Sequence, residues 1–212
     1  NRPKCRRVYL DSLTDAEKKV TLDDGESFSA PYFILATGRR PRLLNLPGEL
    51  ENKGKGLSYC ATCDGEFYKD KDIFVIGGGN SAMEESLLLL QHVKSLTIIH
   101  QFDKLQAEKI TGDKVLSNPK VNILWSHEPR EFNAVGETIE VKIEDLKTGK
   151  TIIESRDGIF IFVGMIPNNE FLTNSGIQLN KYGYIPTNEQ TMETNIKGVY
   201  AAGDIRDKHQ WQ

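Results

Sequence analysis

Asp72-Ile73-Phe74-Val75-Ile76-Gly77-Gly78-Gly79-Asn80-Ser81-Ala82-Met83 is the stretch that decides the fold. Five residues rich in β-branched and aromatic side chains read as a buried strand. Three glycines follow at once, and from Met83 to Val93 the apolar positions Met83, Leu87 and Leu90 recur at helical spacing. A second apolar strand, residues 96–99, comes next. Strand, glycine turn, helix and strand within about 30 residues make a βαβ unit, the building block of a parallel nucleotide-binding sheet. Gly77 and Gly79 occupy the first two glycine places of G-x-G-x-x-G/A, Asn80 and Ser81 the variable ones, and Ala82 the last. Glycine there permits a tight turn and close approach of backbone to a pyrophosphate, which the helix N-terminus then attracts. A turn of this kind that binds nothing is the bland alternative.

Working outward, a helix is expected over 107–116, a strand over 121–125, a hairpin from 139–146 and 150–154, and a buried strand over 158–163. Upstream, Val8-Tyr9-Leu10 and Lys19-Val20-Thr21-Leu22 read as paired strands before the turn residues Asp23-Asp24-Gly25. Tyr32-Phe33-Ile34-Leu35-Ala36 reads as a buried strand entering the Thr37-Gly38 turn. Arg39-Arg40-Pro41-Arg42 and residues 164–167 break regular structure and mark two crossings between domains. Downstream, Val199-Tyr200-Ala201 is a strand ending in Ala202-Gly203-Asp204. There Asp204 suits a ligand hydroxyl, although a turn aspartate is equally ordinary.

The 212 residues carry 27 Lys+Arg against 30 Asp+Glu, a net charge of −3, with no long basic block, so a nucleic-acid backbone is not expected as partner. A 38% apolar fraction excludes wholesale disorder. No apolar run approaches the ~20 residues that span a bilayer, so no membrane association is expected. Without an export segment, a chain carrying a reversible dithiol is expected in the cytoplasm.

Of three cysteines, Cys60 and Cys63 are two residues apart. Such a pair can open and close a small disulfide ring, or supply half of a zinc site. Zinc needs two further ligands, but only Cys5 remains and His92, His100, His127 and His209 form no pair at ligand spacing. The redox reading is therefore preferred and no metal is expected. Asp64, beside the dithiol, could carry its proton or cap a helix. At the end of the second βαβ strand, residues 100–106 contain no arginine, which disfavours a clamp for a 2′-phosphate. Gln101 or Asp103 suits a free ribose hydroxyl.

Cys60-Ala61-Thr62-Cys63-Asp64-Gly65, with Ala36-Thr37-Gly38, residues 77–85 and residues 198–204, resembles the low-molecular-weight thioredoxin reductases and the similar flavoprotein subunit of alkyl hydroperoxide reductase. The resemblance implies an α/β fold in which a Rossmann-like nicotinamide domain is inserted into an FAD-binding domain, as in flavoproteins with two dinucleotide-binding domains. Residues 1–40 and 168–212 would be parts of the FAD domain, and 41–167 the NAD(P) domain with the redox pair.

It further implies that Cys63 faces the flavin and Cys60 attacks the protein substrate, with Asp64 as acid/base. Thr37, Gly38, Gly203 and Asp204 would line the FAD site, Gln212 would reach the isoalloxazine, and Gly77, Gly79, Asn80, Ser81, Ala82 and Gln101 would bind the nicotinamide cofactor. The partners implied are a thioredoxin or glutaredoxin-like protein and a second copy of the chain. The family's first flavin fingerprint and last helix are absent from these residues, so a fragment with an incomplete FAD domain is expected. The family's H-R-R-x-x-x-R clamp reads His100-Gln101-Phe102 with Gln106, favouring NADH over NADPH. Reduced ferredoxin is the alternative donor, and a non-catalytic nucleotide-binding remnant the alternative of another class. Trp211 stands where many members have arginine, and Cys5 has no assigned role.

Overall fold

The computed structural model describes residues 8–13 and 18–207. Cys5, Trp211 and Gln212 lie outside them. Two compact units are present, one within residues 1–40 and 165–212, the other Pro41–Gly164.

The first unit opens with an antiparallel three-stranded sheet, β1 (Val8–Leu13), β2 (Lys18–Leu22) and β3 (Ser27–Ala30). The strand β4 (Phe33–Leu35) follows, and then β5 (Arg39–Pro41). The charged, proline-ended β5 is a short strand where the sequence suggests only a break. A proline is tolerated there because it ends the strand.

In the second unit β6 (Leu57–Ser58) leads to a one-turn helix α1 (Ala61–Asp64) and a 3-10 turn, Gly65–Tyr68. Then come β7 (Asp72–Ile76), α2 (Asn80–Leu89), β8 (Ser95–His100), α3 (Lys109–Leu116) and β9 (Val121–Trp125). Helix α2 starts and stops earlier than its apolar spacing suggests. The extended Gly79 lets it begin at Asn80, and turn bonds from Leu89 onward lead the chain into β8. The antiparallel strands β10 (His127–Val135), β11 (Thr138–Asp145) and β12 (Thr151–Arg156) precede β13 (Gly158–Ile161).

The parallel sheet has the order β6-β13-β7-β8-β9, with Ile159 opposite Phe74 and Ile76 opposite Ile99. Alternation along β7 builds two cores, because successive side chains point to opposite faces. Ile73 and Val75 join Ala82, Met83, Leu89 and Val115 on the helical side. Phe74 and Ile76 join Phe132, Ile139, Val141 and Ile143 of the antiparallel sheet on the other. The unit is thus a three-layer α/β fold, and the C-terminal ends of β7 and β8 open at one edge.

Returning to the first unit, β14 (Met165–Pro167) pairs with β5, and β15 (Val199–Ala201) pairs in parallel with β4. Its core gathers Leu35, Leu172, Ile177, Ile185, Val199, Ala201 and Ile205.

Candidate active site

The two cysteines are joined as a disulfide across helix α1. Cys60 caps that helix, its Sγ accepting the Cys63 N–H at 3.1 Å, and Cys63 is the more exposed of the two. Ser58, at the end of β6, organises the approach. Its hydroxyl oxygen accepts the Cys60 N–H at 3.1 Å and lies 2.6 Å from Oδ2 of Asp64, to which it donates. Asp64 is half-buried at the far end of the turn. Glu49, almost fully buried, fixes the preceding residue by accepting from the Tyr59 hydroxyl at 2.7 Å and from the Leu44 and Leu46 amides. Burial and that carboxylate push the Tyr59 phenol up, so it stays a donor. The disulfide therefore sits on a short helix held at both ends, with Cys60 half-buried and Cys63 exposed.

The glycine turn lines a cavity of about 620 Å³ within the same unit. Gly77 has φ +130°, and a Cβ there would stand 2.3 Å from the Phe162 carbonyl oxygen. A Cβ on Gly78 would run into the His100 ring at 2.4 Å, whereas Gly79 faces open space. The helix N-terminus behind it has no side-chain cap, so its first amides remain for an anion. Bare backbone, an uncapped helix end and open room at Gly79 fit a dinucleotide pyrophosphate. Ser81 lines the cavity; Asn80 does too, but its side-chain oxygen is engaged by the Glu108 N–H at 2.7 Å. Ala82 is fully buried and packs against Gly77, so it supports the turn from behind. Gln101 and Gln106 line the cavity on the β8 side, and Asp103 is exposed and not part of the lining.

Sequence reasoning missed the other wall, made by Arg42, Leu44, His127, Glu128, Pro129 and Arg130. Arg130 bonds to Glu128 and Glu144. These residues come from chain segments far from the glycine turn, so no local pattern marks them. His100, at the end of β8 and against Gly78, is buried with Nε2 3.0 Å from the Lys104 carbonyl oxygen, and burial lowers its pKa.

In the first unit, the loops after β4 and β15 leave the same edge of a parallel pair, the usual place for a ligand in such sheets. Thr37 Oγ1 donates to the Asn168 carbonyl at 2.9 Å, and the Gly38 carbonyl accepts the Asn168 N–H. Gly203 is exposed, and Asp204 lies 3.2 Å from Nε of Arg39. Thr37, Gly38, Gly203 and Asp204 thus occupy loops that could hold part of a flavin dinucleotide. Among the described residues no group of three His, Cys, Asp or Glu is placed to hold a metal ion, and no helix is long and apolar enough to cross a membrane.

Comparison with known proteins agrees with this architecture. The pyridine nucleotide-disulphide oxidoreductase pattern matches residues 5–212. The 34.2 kDa protein in the rubredoxin operon of Clostridium pasteurianum is 41% identical over 92% of this chain and 63% of its own length. The thioredoxin reductase of Peptoclostridium acidaminophilum is 40% identical over 94% and 64%. This chain therefore spans less than two thirds of either relative. The crystal structure of Lactococcus lactis thioredoxin reductase superposes with a TM-score of 0.80 at 39% identity, covering 96% of this chain and 67% of that one. With a disulfide, a glycine turn and a parallel sheet in that arrangement, the chain belongs to the pyridine nucleotide-disulphide oxidoreductase family, alongside the thioredoxin reductases.

Proposed function

We propose that the intact protein is a flavin-dependent disulfide reductase that takes electrons from NADH and passes them through FAD to Cys60–Cys63 and on to a thioredoxin-like protein. The observation that carries this reading is the disulfide closed across a one-turn helix with Asp64 at its end. Bound FAD would supply the two-electron relay between nicotinamide and disulfide.

The residues of this chain account for the thiol half of the reaction. Once the pair is reduced, the Cys60 thiolate attacks the partner's disulfide, forms a mixed disulfide and expels one partner thiolate. The Cys63 thiolate then attacks Cys60 Sγ, which releases the second partner thiolate and restores the internal bond. Asp64, beside Cys63 and oriented by Ser58, takes the proton from the thiol and returns it to the leaving sulfur. The stretch 100–106 offers Gln101 and Gln106 to the cavity and contains no arginine, which supports NADH over NADPH. The intact glycine turn supports a nicotinamide donor over ferredoxin. A reversible dithiol suits a reducing compartment, hence the cytoplasm.

The test uses the full-length protein with bound flavin. Flavin bleaching followed by stopped flow should be faster with NADH than with NADPH or reduced ferredoxin. In Cys60→Ser, bleaching by NADH should persist while thioredoxin reduction falls to background. Thioredoxin turnover by that variant would refute the assignment.

A further inference from the structure

Helix α2 carries a carboxylate that the mechanism above does not use. Glu85 lies on the face packed against α1, one turn before Leu89, whose Cδ2 would be 3.2 Å from a Cβ on Gly65. One of its oxygens, Oε2, is buried without a hydrogen-bond partner among the described residues. The backbone N–H of Ala61, the residue after Cys60, interacts with the same carboxylate. A buried oxygen left unpaired costs free energy, so its retention beside the dithiol calls for a reason.

We propose that Glu85 is a positioning residue for the Cys60–Cys63 pair: its carboxylate seats the Ala61 end of the one-turn helix, and its charge opposes a thiolate at Cys60. This rests on the dithiol reading above. Four covalent bonds separate Cys60 Sγ from the Ala61 nitrogen, so sulfur and carboxylate are on the order of 7 Å apart or closer. At that separation in a partly buried site, two negative charges repel appreciably. Reducing the disulfide adds two electrons. It takes up one proton if Cys60 remains a thiolate and Glu85 remains charged, and a second when Glu85 becomes the neutral acid.

Burial raises the Glu85 pKa first, and the neighbouring Glu84 charge adds to it, while the Ala61 N–H pulls the other way. The other titratable or charged groups on elements packed against α2 are Cys60, Cys63 and Asp64 at α1, Glu66 and Tyr68 on the 3-10 turn, Asp72 on β7, and Lys109, Asp113 and Lys114 on α3. Glu85 therefore holds its proton more tightly than an exposed glutamate, and a thiolate beside it would tighten that hold. The two titrations are coupled.

The full-length protein is reduced with dithiothreitol, which is oxidised to its cyclic disulfide, and then alkylated with iodoacetamide between pH 5.5 and 9. Tandem mass spectrometry separates Cys60 and Cys63 from Cys5. At pH 7.5, where Glu85 is charged in the wild type, Cys60 of Glu85→Gln should react roughly three- to tenfold faster than wild type, with the rates converging above pH 9. The wild-type profile should also be broader than a single titration. Glu85→Ala provides the same comparison if the amide does not pack. Superimposable profiles in a variant with wild-type circular dichroism would overturn the Glu85 inference alone. Failure of dithiothreitol to release thiols at 60 and 63 would overturn the dithiol reading beneath it.

Discussion

At Gly78 the turn has no room for a side chain, because His100 occupies the space a Cβ would take. The imidazole is held there by the Lys104 carbonyl oxygen and flanked edge-on by Phe102 and Trp125. Burial disfavours the imidazolium, so the folded pKa lies below the value near 6.5 of the unfolded chain. The unfolded state then binds the extra proton first. Stability should be fully present above about pH 6.5 and fall as the pH drops from there through the depressed folded value. Urea unfolding of wild type and His100→Asn at pH 7.5 and 5.0 isolates this residue, because every other titrating group is shared. The wild-type advantage should shrink at pH 5.0, and a gap independent of pH would show that the ring carries no such linkage.

Elements differ in how openly the sequence declares them. The strand β7 and the glycine turn were legible because a run of five β-rich residues and three glycines admit few alternatives. The nine-residue strand β10 was not. Pro129, Arg130 and Glu131 interrupt its alternation, and its register with β11 shifts between Pro129 and Glu131, so the period of two is broken at a bulge. Its anchor is Phe132, fully buried opposite Val141 and packed with Ile139 and Phe74. Phe132→Ala should lower the unfolding free energy by about 3–5 kcal/mol. Val135→Ala, three residues on at an exposed position, should change it by less than about 0.5 kcal/mol. Equal effects in urea unfolding would mean that β10 does not seal the core. The same contrast holds at the site. Cys60, Cys63 and Asp64 announce themselves by spacing, whereas Glu85 follows Glu84 on a helix and reads as part of a solvated face. Only the packing of α1 on α2 half-buries it and encloses one of its oxygens.

For the whole molecule, the distribution of apolar contacts matters more than any single strand. Both cores flanking the parallel sheet draw all their residues from 41–164, including the partly buried Leu44, Tyr68, Leu105 and Val163. The third core draws on Leu35 and on residues from Leu172 to Ile205, which are joined only through the intervening unit. A continuous segment that closes its own cores has no need of distant chain to bury its apolar faces. Residues 41–164 should therefore fold when produced alone. They should unfold in urea in one cooperative step, with a slope of about 1–3 kcal/mol/M and a near-ultraviolet signal from Trp125. The cavity at the glycine turn belongs wholly to this segment, so NADH should still bind it and raise the urea midpoint, as any ligand of the native state does. A broad transition without near-ultraviolet signal would mean that the segment depends on the rest of the chain. A cooperative transition that NADH does not move would leave the fold intact and remove the cavity from the nicotinamide reading.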